Sequence, residues 1–252
     1  MSGWAPAFPV LAWIWTALSL PVLAAGLAKW DPVERLGASA RGPRMASRQA
    51  WFWMELPALL VFPLVYIAGP NHHTVGNIVV ALWGTHYAHR TFVWPWTVQR
   101  HDRTVPLVLC LSGVSFNVVN GVLLGWFMAW IANYPPDWLL DPRFLVGGAL
   151  MLAGAALNVW SDYHLARTRQ AAGGAYVIPR GGAFEYLSCP NLLGEIMEWT
   201  GLAVLTWCVP ALGFALWTAA NLVPRALWRH QWYRETFPDY PMSRRAILPR
   251  VL

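Results

Sequence analysis

The sequence predicts an all-α integral membrane bundle of seven transmembrane helices, N-terminus outside and C-terminus cytosolic. Three observations predict it. Of 252 residues, 57% are hydrophobic and only 12% are charged, against roughly 25% charged in soluble domains. Apolar runs near the 20 or so residues that a hydrocarbon core requires recur along the chain. The loops between them alternate between basic and non-basic. Mean hydropathy is +0.39, and a water-soluble surface would need far more polar covering than this.

The runs are Pro9–Leu27, Trp51–Ala68, Gly76–Trp96, Val105–Ile131, Phe144–Ala166, Leu192–Cys208 and Ala211–Leu227. Only Val209–Pro210 parts the last two, which predicts a tight hairpin. The first run has no small-residue cleavage site before a polar domain, so it reads as a retained span.

Charge then orients the spans. Lys29, Arg35, Arg41, Arg44 and Arg48 lie in the first loop, and no Lys or Arg lies in Gly69–Gly76. Arg100 and Arg103 occupy the third loop, whereas the fourth sets Asp137 and Asp141 against Arg143 alone. Arg167, Arg169 and Arg180 follow in the fifth, the sixth is uncharged, and the tail carries Arg225, Arg229, Arg234, Arg244, Arg245 and Arg250. Basic loops stay cytosolic, so seven spans fit. Residues 1–252 read as one domain whose cytosolic loops (about 28–50, 97–104 and 167–191) and tail (228–252) would cover a cofactor. The tail, rich in aromatics and Pro, is expected to pack under the bundle.

Composition also excludes some functions. The net charge of +6 sits in short loops rather than on a basic stripe, which argues against nucleic acid. Cys110, Cys189 and Cys208 fit no zinc or redox spacing. One Lys beside seventeen Arg points to a GC-rich, bacterial genome. No glycine-rich nucleotide fingerprint of the Rossmann or P-loop kind is present.

Ionisable groups inside spans are costly and mark function by default. Glu55 lies within AWFWMELPALLVF, where a protonated acid could donate to a carbonyl; a structural ion pair with Arg or His is the plain alternative. His86, Tyr87, His89 and Arg90 crowd one turn, with Tyr87 and Arg90 able to share a face. A metal at His86 and His89 would need further ligands, and none is expected. Asn158 and Asp162 are i,i+4 neighbours, while Asn191, Glu195 and Glu198 share a face with Gly194. Each could be a cap or an interhelical contact. Together, beside basic loops, they suggest a polar pocket open to the cytosol, and its Arg rim suits phosphate.

These segments resemble the steroid 5α-reductase family. AWFWMELP, HYAHRTFV, NGVLLGW, NVWSDYHL, YVIPRGGAFEYLSCPNLLGEIMEW and FPDYPMSRRAILP occur in the family's order across nearly the whole chain. The resemblance implies a seven-helix enzyme that uses NADPH to reduce 3-oxo-Δ4 steroids such as testosterone or progesterone. It implies that Glu55 and Tyr87 contact the enone oxygen. It assigns Arg90, Asn158, Asp162, Arg169, Tyr176, Asn191, Glu195, Arg225 and Tyr233 to the cofactor. Trp53, Phe116 and Trp199 are candidates to wall a flat sterol, or else lipid-facing belt residues. Two positions depart from the family: Met54 stands where Gln is common, and the stretch near the tail reads Trp228–Arg229–His230. The expected partners are an apolar steroid or enone lipid and membrane lipid, with a monomeric chain. The membrane would be cytoplasmic in a bacterium and endoplasmic reticulum in a eukaryote. The alternatives are a reductase of another enone or enoyl lipid and a membrane methyltransferase using S-adenosylmethionine.

Overall fold

A computed structural model describes residues 6–28, 42–98 and 103–248. In chain order the helices are α1 (Phe8–Ala17), α2 (Ser19–Leu27), α3 (Ser47–Ala68), α4 (Thr74–Ala88), α5 (Leu107–Trp126), α6 (Pro142–Ala171), α7 (Pro190–Thr206) and α8 (Val209–Thr236). Two short strands, β1 (Arg44–Ala46) and β2 (Thr104–Pro106), join them. α4 continues through a π-helical turn, His89–Val93, into Trp94–Thr97, and α5 ends in another, Phe127–Ile131. Each apolar run of the sequence falls mainly on helix, with Val105 and Pro106 in β2 and Trp207 and Cys208 between helices as the exceptions at run ends. Among the described residues, four helical segments are long and apolar enough to cross a membrane: Phe8–Leu27, Ser47–Ala68, Leu107–Ile131 and Pro142–Ala171. Leu64, Ile67, Leu111, Leu145 and Leu152 on these segments are each more than half exposed, a surface suited to lipid. The chain is a helical membrane protein.

The described residues form two compact units, one of residues 6–28 and 145–248, the other of 42–98 and 103–144. In the second unit α3 and α5 run side by side in the same direction. Gly121 lies against Val61 and Gly125 against Val65, where an added Cβ would come within 3.0 Å and 2.8 Å of the valine Cβ. Small residues admit such close approach. Pro57 and Pro63 interrupt the backbone ladder of α3, and neighbouring side chains donate into the same helix. Asn117 Nδ2 donates to Met54 O at 2.7 Å and Trp83 Nε1 to Ala58 O at 2.7 Å.

The loops of this unit sort by charge. β1 and β2 pair antiparallel, Met45 opposite Val105, and Arg44 Nε donates to Thr104 Oγ1 at 2.8 Å. The sheet lies in segments expected to be plain loops, because three-residue strands leave no alternation to read. It joins the ends of the two basic loops. The uncharged loop after α3 meets the end of α5 instead: Asn71 N donates to Ala129 O at 3.1 Å, and His73 Nε2 is 3.2 Å from Met128 O.

In the first unit α1 and α2 break only at Leu18, where Pro21 has no N–H to donate to Ala17. They run alongside α8 in the same direction, Thr16 against Gly213 and Gly26 against Pro224. Trp217 Nε1 donates to Trp15 O at 2.8 Å. α6 and α7 are antiparallel with their backbones touching. A Cβ on Gly147 would come within 2.4 Å of Leu205 N, and one on Gly154 within 2.3 Å of Glu198 N. From the other side, Gly194 faces Asn158 N at 2.5 Å and Gly201 faces Met151 N at 2.3 Å.

The expected break at Val209–Pro210 lies earlier. Trp207 adopts the left-handed region (φ 47°) and Cys208 is extended, so Val209 and Pro210 open α8. A proline there lacks an N–H that the first turn leaves unbonded in any case. α8 also runs past Leu227 to Thr236. The tail folds back as expected: Arg245 N donates to Tyr186 O and Cys189 N to Ala246 O, at 3.0 and 3.1 Å. Ala246 and Ile247 close a core with Cys189 and Ala226.

Candidate active site

The first cluster is built on α3 and α4. Glu55 is buried on α3 at 7% exposure, facing Arg90 in the π-helical turn after α4. Arg90 Nη2 lies 3.2 Å from Glu55 Oε1, and both side chains are under a tenth exposed. The guanidinium sits 5.1 Å from the Trp51 ring centre and 4.4 Å from that of Trp94. Taking two charges out of water costs several kcal/mol per ion. Pairing, and cation–π contacts that reach about 2 kcal/mol when dry, offset that cost. Tyr87, three residues before Arg90, is 4% exposed with its ring 4.7 Å from Trp83.

Glu55 is therefore one half of an ion pair with an Arg, the plain alternative of the sequence reading. Arg90, expected at the cofactor, is the other half. Trp53 is 51% exposed, because two residues along a helix turn it about 200° from Glu55. Met54 packs on Gly113 of α5, with its Sδ 2.8 Å from where a Cβ would stand. Phe116 is half-buried on α5.

The second cluster lies where α6 and α7 touch. Asn158 Nδ2 donates to Asn191 O at 3.0 Å, and Asn191 Nδ2 donates to Asp162 Oδ1 at 2.9 Å. The glycine contacts set this network, since the Gly194 side of α7 rests on the Asn158 backbone. Asn158 and Asp162 are buried, Asn191 and Glu195 half-buried. Ser161 in the same turn is fully buried, and its Oγ has no hydrogen-bond partner among the described residues.

At the end of α6, Arg169 stacks on Tyr176 at 5.5 Å, and Tyr176 meets Trp232 edge-on at 5.3 Å. Tyr233 is buried and stacks on Tyr240 at 5.3 Å, while Arg225 is exposed on α8. Trp199 packs edge-on to Phe214 at 4.8 Å, with 1% of its surface exposed, as a core residue of its unit.

Sequence reasoning missed a third group. Arg244 is buried and donates to Pro179 O at 2.9 Å, with Glu185 3.6 Å away. The backbone N–H of Gly181, together with Arg244 and Arg180, holds the Glu185 carboxyl below its ordinary range. Ser188, His230 and Tyr240 meet nearby. Burial first, then Arg234 and Arg245, lowers the His230 pKa. The one sequence signal for this group was a tail too aromatic to be free.

A family model for 3-oxo-5-alpha-steroid 4-dehydrogenase matches residues 103–252. The chain is 38% identical over 252 residues to 3-oxo-5-alpha-steroid 4-dehydrogenase 2 of Homo sapiens, covering 96% of each chain. It is 38% identical over 226 residues to 3-oxo-5-alpha-steroid 4-dehydrogenase 1 of Rattus norvegicus, covering 88% of this chain and 86% of the relative.

Proposed function

The chain belongs to the 3-oxo-5-alpha-steroid 4-dehydrogenase family and is an oxidoreductase, and from that premise we propose that it uses NADPH to reduce the Δ4 bond of 3-oxo steroids such as testosterone or progesterone. The observation that carries this reading is the buried Glu55–Arg90 pair with Tyr87 one turn away. Reduction of an enone places negative charge on its oxygen. The contact with Arg90 persists when Glu55 takes up a proton for the reaction: Oε1 still accepts from Arg90 while Oε2–H donates to that oxygen, with Tyr87 Oη–H as the second donor. Donors fixed in a water-excluded site are worth several kcal/mol to a developing oxyanion. Trp51 and Trp94 keep the Arg90 charge dry and in place.

The donor set of the second cluster fits a dinucleotide. Asn158, Asn191, Glu195 and Asp162 offer amide and carboxylate groups for ribose hydroxyls and a carboxamide, and Ser161 Oγ is a buried polar atom still to be satisfied. Arg169, Arg225, Tyr176 and Tyr233 supply charge and ring faces for phosphate and base. The nicotinamide, when bound, supplies a hydride.

The seven-span reading, with basic loops cytosolic, fits the way the loops pair. The two basic loops of one unit share a sheet, and the basic fifth loop shares hydrogen bonds with the basic tail. Steroid reaches such a site from the lipid.

The test is purified protein with NADPH and progesterone, following the cofactor's absorbance. A steroid-dependent fall supports the reading. No fall with steroid, but one with an enoyl lipid, moves the substrate class. Methyl transfer from S-adenosylmethionine instead would overturn it.

A further inference from the structure

Ser188 Oγ sits at the meeting point of three segments. It lies 2.6 Å from His230 Nδ1 on α8, 2.6 Å from Tyr240 Oη, and 3.1 Å from Arg245 O in the tail. Ser188 is 2% exposed and Tyr240 4%, so water does not compete. A hydroxyl has one proton and two lone pairs. The carbonyl of Arg245 can only accept, so Ser188 must donate to it. Both lone pairs then receive, one from Tyr240 O–H and one from His230 Nδ1–H. No other assignment makes all three contacts hydrogen bonds. His230 therefore carries its proton on Nδ1.

The cluster stands immediately before α7. Ser188 N and Cys189 N donate to Arg245 O and Ala246 O at 2.8 and 3.1 Å, and Pro190 opens the helix. Asn191, the next residue, is the one that touches both Asn158 and Asp162. We infer that Ser188, His230 and Tyr240 are positioning residues for the cofactor: through the tail segment at Arg245 and Ala246 they fix the first turn of α7, and so hold Asn191 against Asn158 and Asp162.

This inference rests on the proposed NADPH site at Asn158, Asp162 and Asn191, and the test separates the two. NADPH affinity is measured by fluorescence titration of the full chain in detergent, without turnover, for Ser188→Ala, His230→Leu, His230→Asn and Asn191→Ala. The asparagine amide offers an N–H where His230 offers Nδ1–H. Ser188→Ala and His230→Leu are expected to raise the NADPH Kd about tenfold, the size of one lost hydrogen bond. His230→Asn is expected to stay within about twofold of the parent, on the strength of that retained donor. An Asn191→Ala protein with unchanged Kd would overturn the cofactor site itself. Weakened binding in Asn191→Ala with unchanged binding in Ser188→Ala and His230→Leu would overturn the positioning role. Equal loss in His230→Asn and His230→Leu would overturn the proton assignment. If Ser188→Ala does not fold, the two His230 variants decide alone.

Discussion

The two polar clusters solve the problem of keeping charge and amides inside apolar helices by different means. Around Glu55 the solution is electrostatic: one acid, one guanidinium and two indole faces, on helices tied by Trp83 and Asn117. Around Asn158 the solution is geometric. Glycines bring α6 and α7 into backbone contact, and the amides bond across the gap. On the proposed function, the first cluster would offer strong donors to one oxygen and the second many modest contacts to a long ligand. Substitutions should therefore fail in different ways, turnover in the first and cofactor affinity in the second.

The largest expected effect tests the first cluster. Tyr87→Phe should cut steroid turnover about 100- to 1,000-fold, the usual cost of one lost oxyanion donor, and Glu55→Gln, whose amide still donates an N–H but is far less acidic, about tenfold, with the helical circular dichroism spectrum unchanged in both. Near-normal reduction by both variants would sink the pair. Next comes the geometry of the second. Gly154→Ala would put a methyl 2.3 Å from Glu198 N, backbone that cannot swing aside. Overpacking of this kind costs about 1–3 kcal/mol, so thermal unfolding in detergent should drop by several degrees and NADPH binding should weaken with it. Gly84→Ala, inside α4 where nothing lies within 4 Å, is the matched control and should lower neither, since Ala is the better helix former.

Arg90 sharpens the comparison further, because the resemblance assigns it to the cofactor while its guanidinium also pairs with Glu55. Arg90→Lys keeps the charge but loses the planar stack on Trp51 and Trp94. Steady-state kinetics should return a lower kcat with an NADPH KM within about threefold of the parent, less than the tenfold that one contact to a charged group is worth. A raised NADPH KM at constant kcat would return Arg90 to the cofactor.

The smallest effect lies at Glu185. Its folded pKa is depressed below the ordinary carboxylate range, chiefly by the Gly181 N–H, so its contribution to stability is present above that range and is lost as pH falls through the folded pKa. Glu185→Gln should lower the melting temperature slightly at neutral pH and flatten the acid limb of the curve, so that variant and parent converge at low pH.

The helices were legible because apolar runs and loop charge are carried by many residues at once. The site was legible in part. Ionisable groups such as Glu55, Tyr87, Asp162 and Glu195 stand out against an apolar background. What they touch does not, since the Glu55–Arg90 pair spans 35 positions and depends on a π-helical turn that leaves no periodic trace. Trp53 and Trp199 look alike in the sequence, yet one is half exposed and the other a core residue. Only the rotation of each helix decides that. The Ser188–His230–Tyr240 cluster was invisible for the same reason, as it joins three segments through single atoms.

The division of labour between the two clusters is tested most directly by NADPH titration of Glu55→Gln beside Asp162→Asn, each as the full chain in detergent. The account predicts parent-like NADPH affinity for Glu55→Gln and an affinity about tenfold weaker for Asp162→Asn, whose neutral amide no longer accepts as a carboxylate. The reverse order, or equal losses in both, would contradict it.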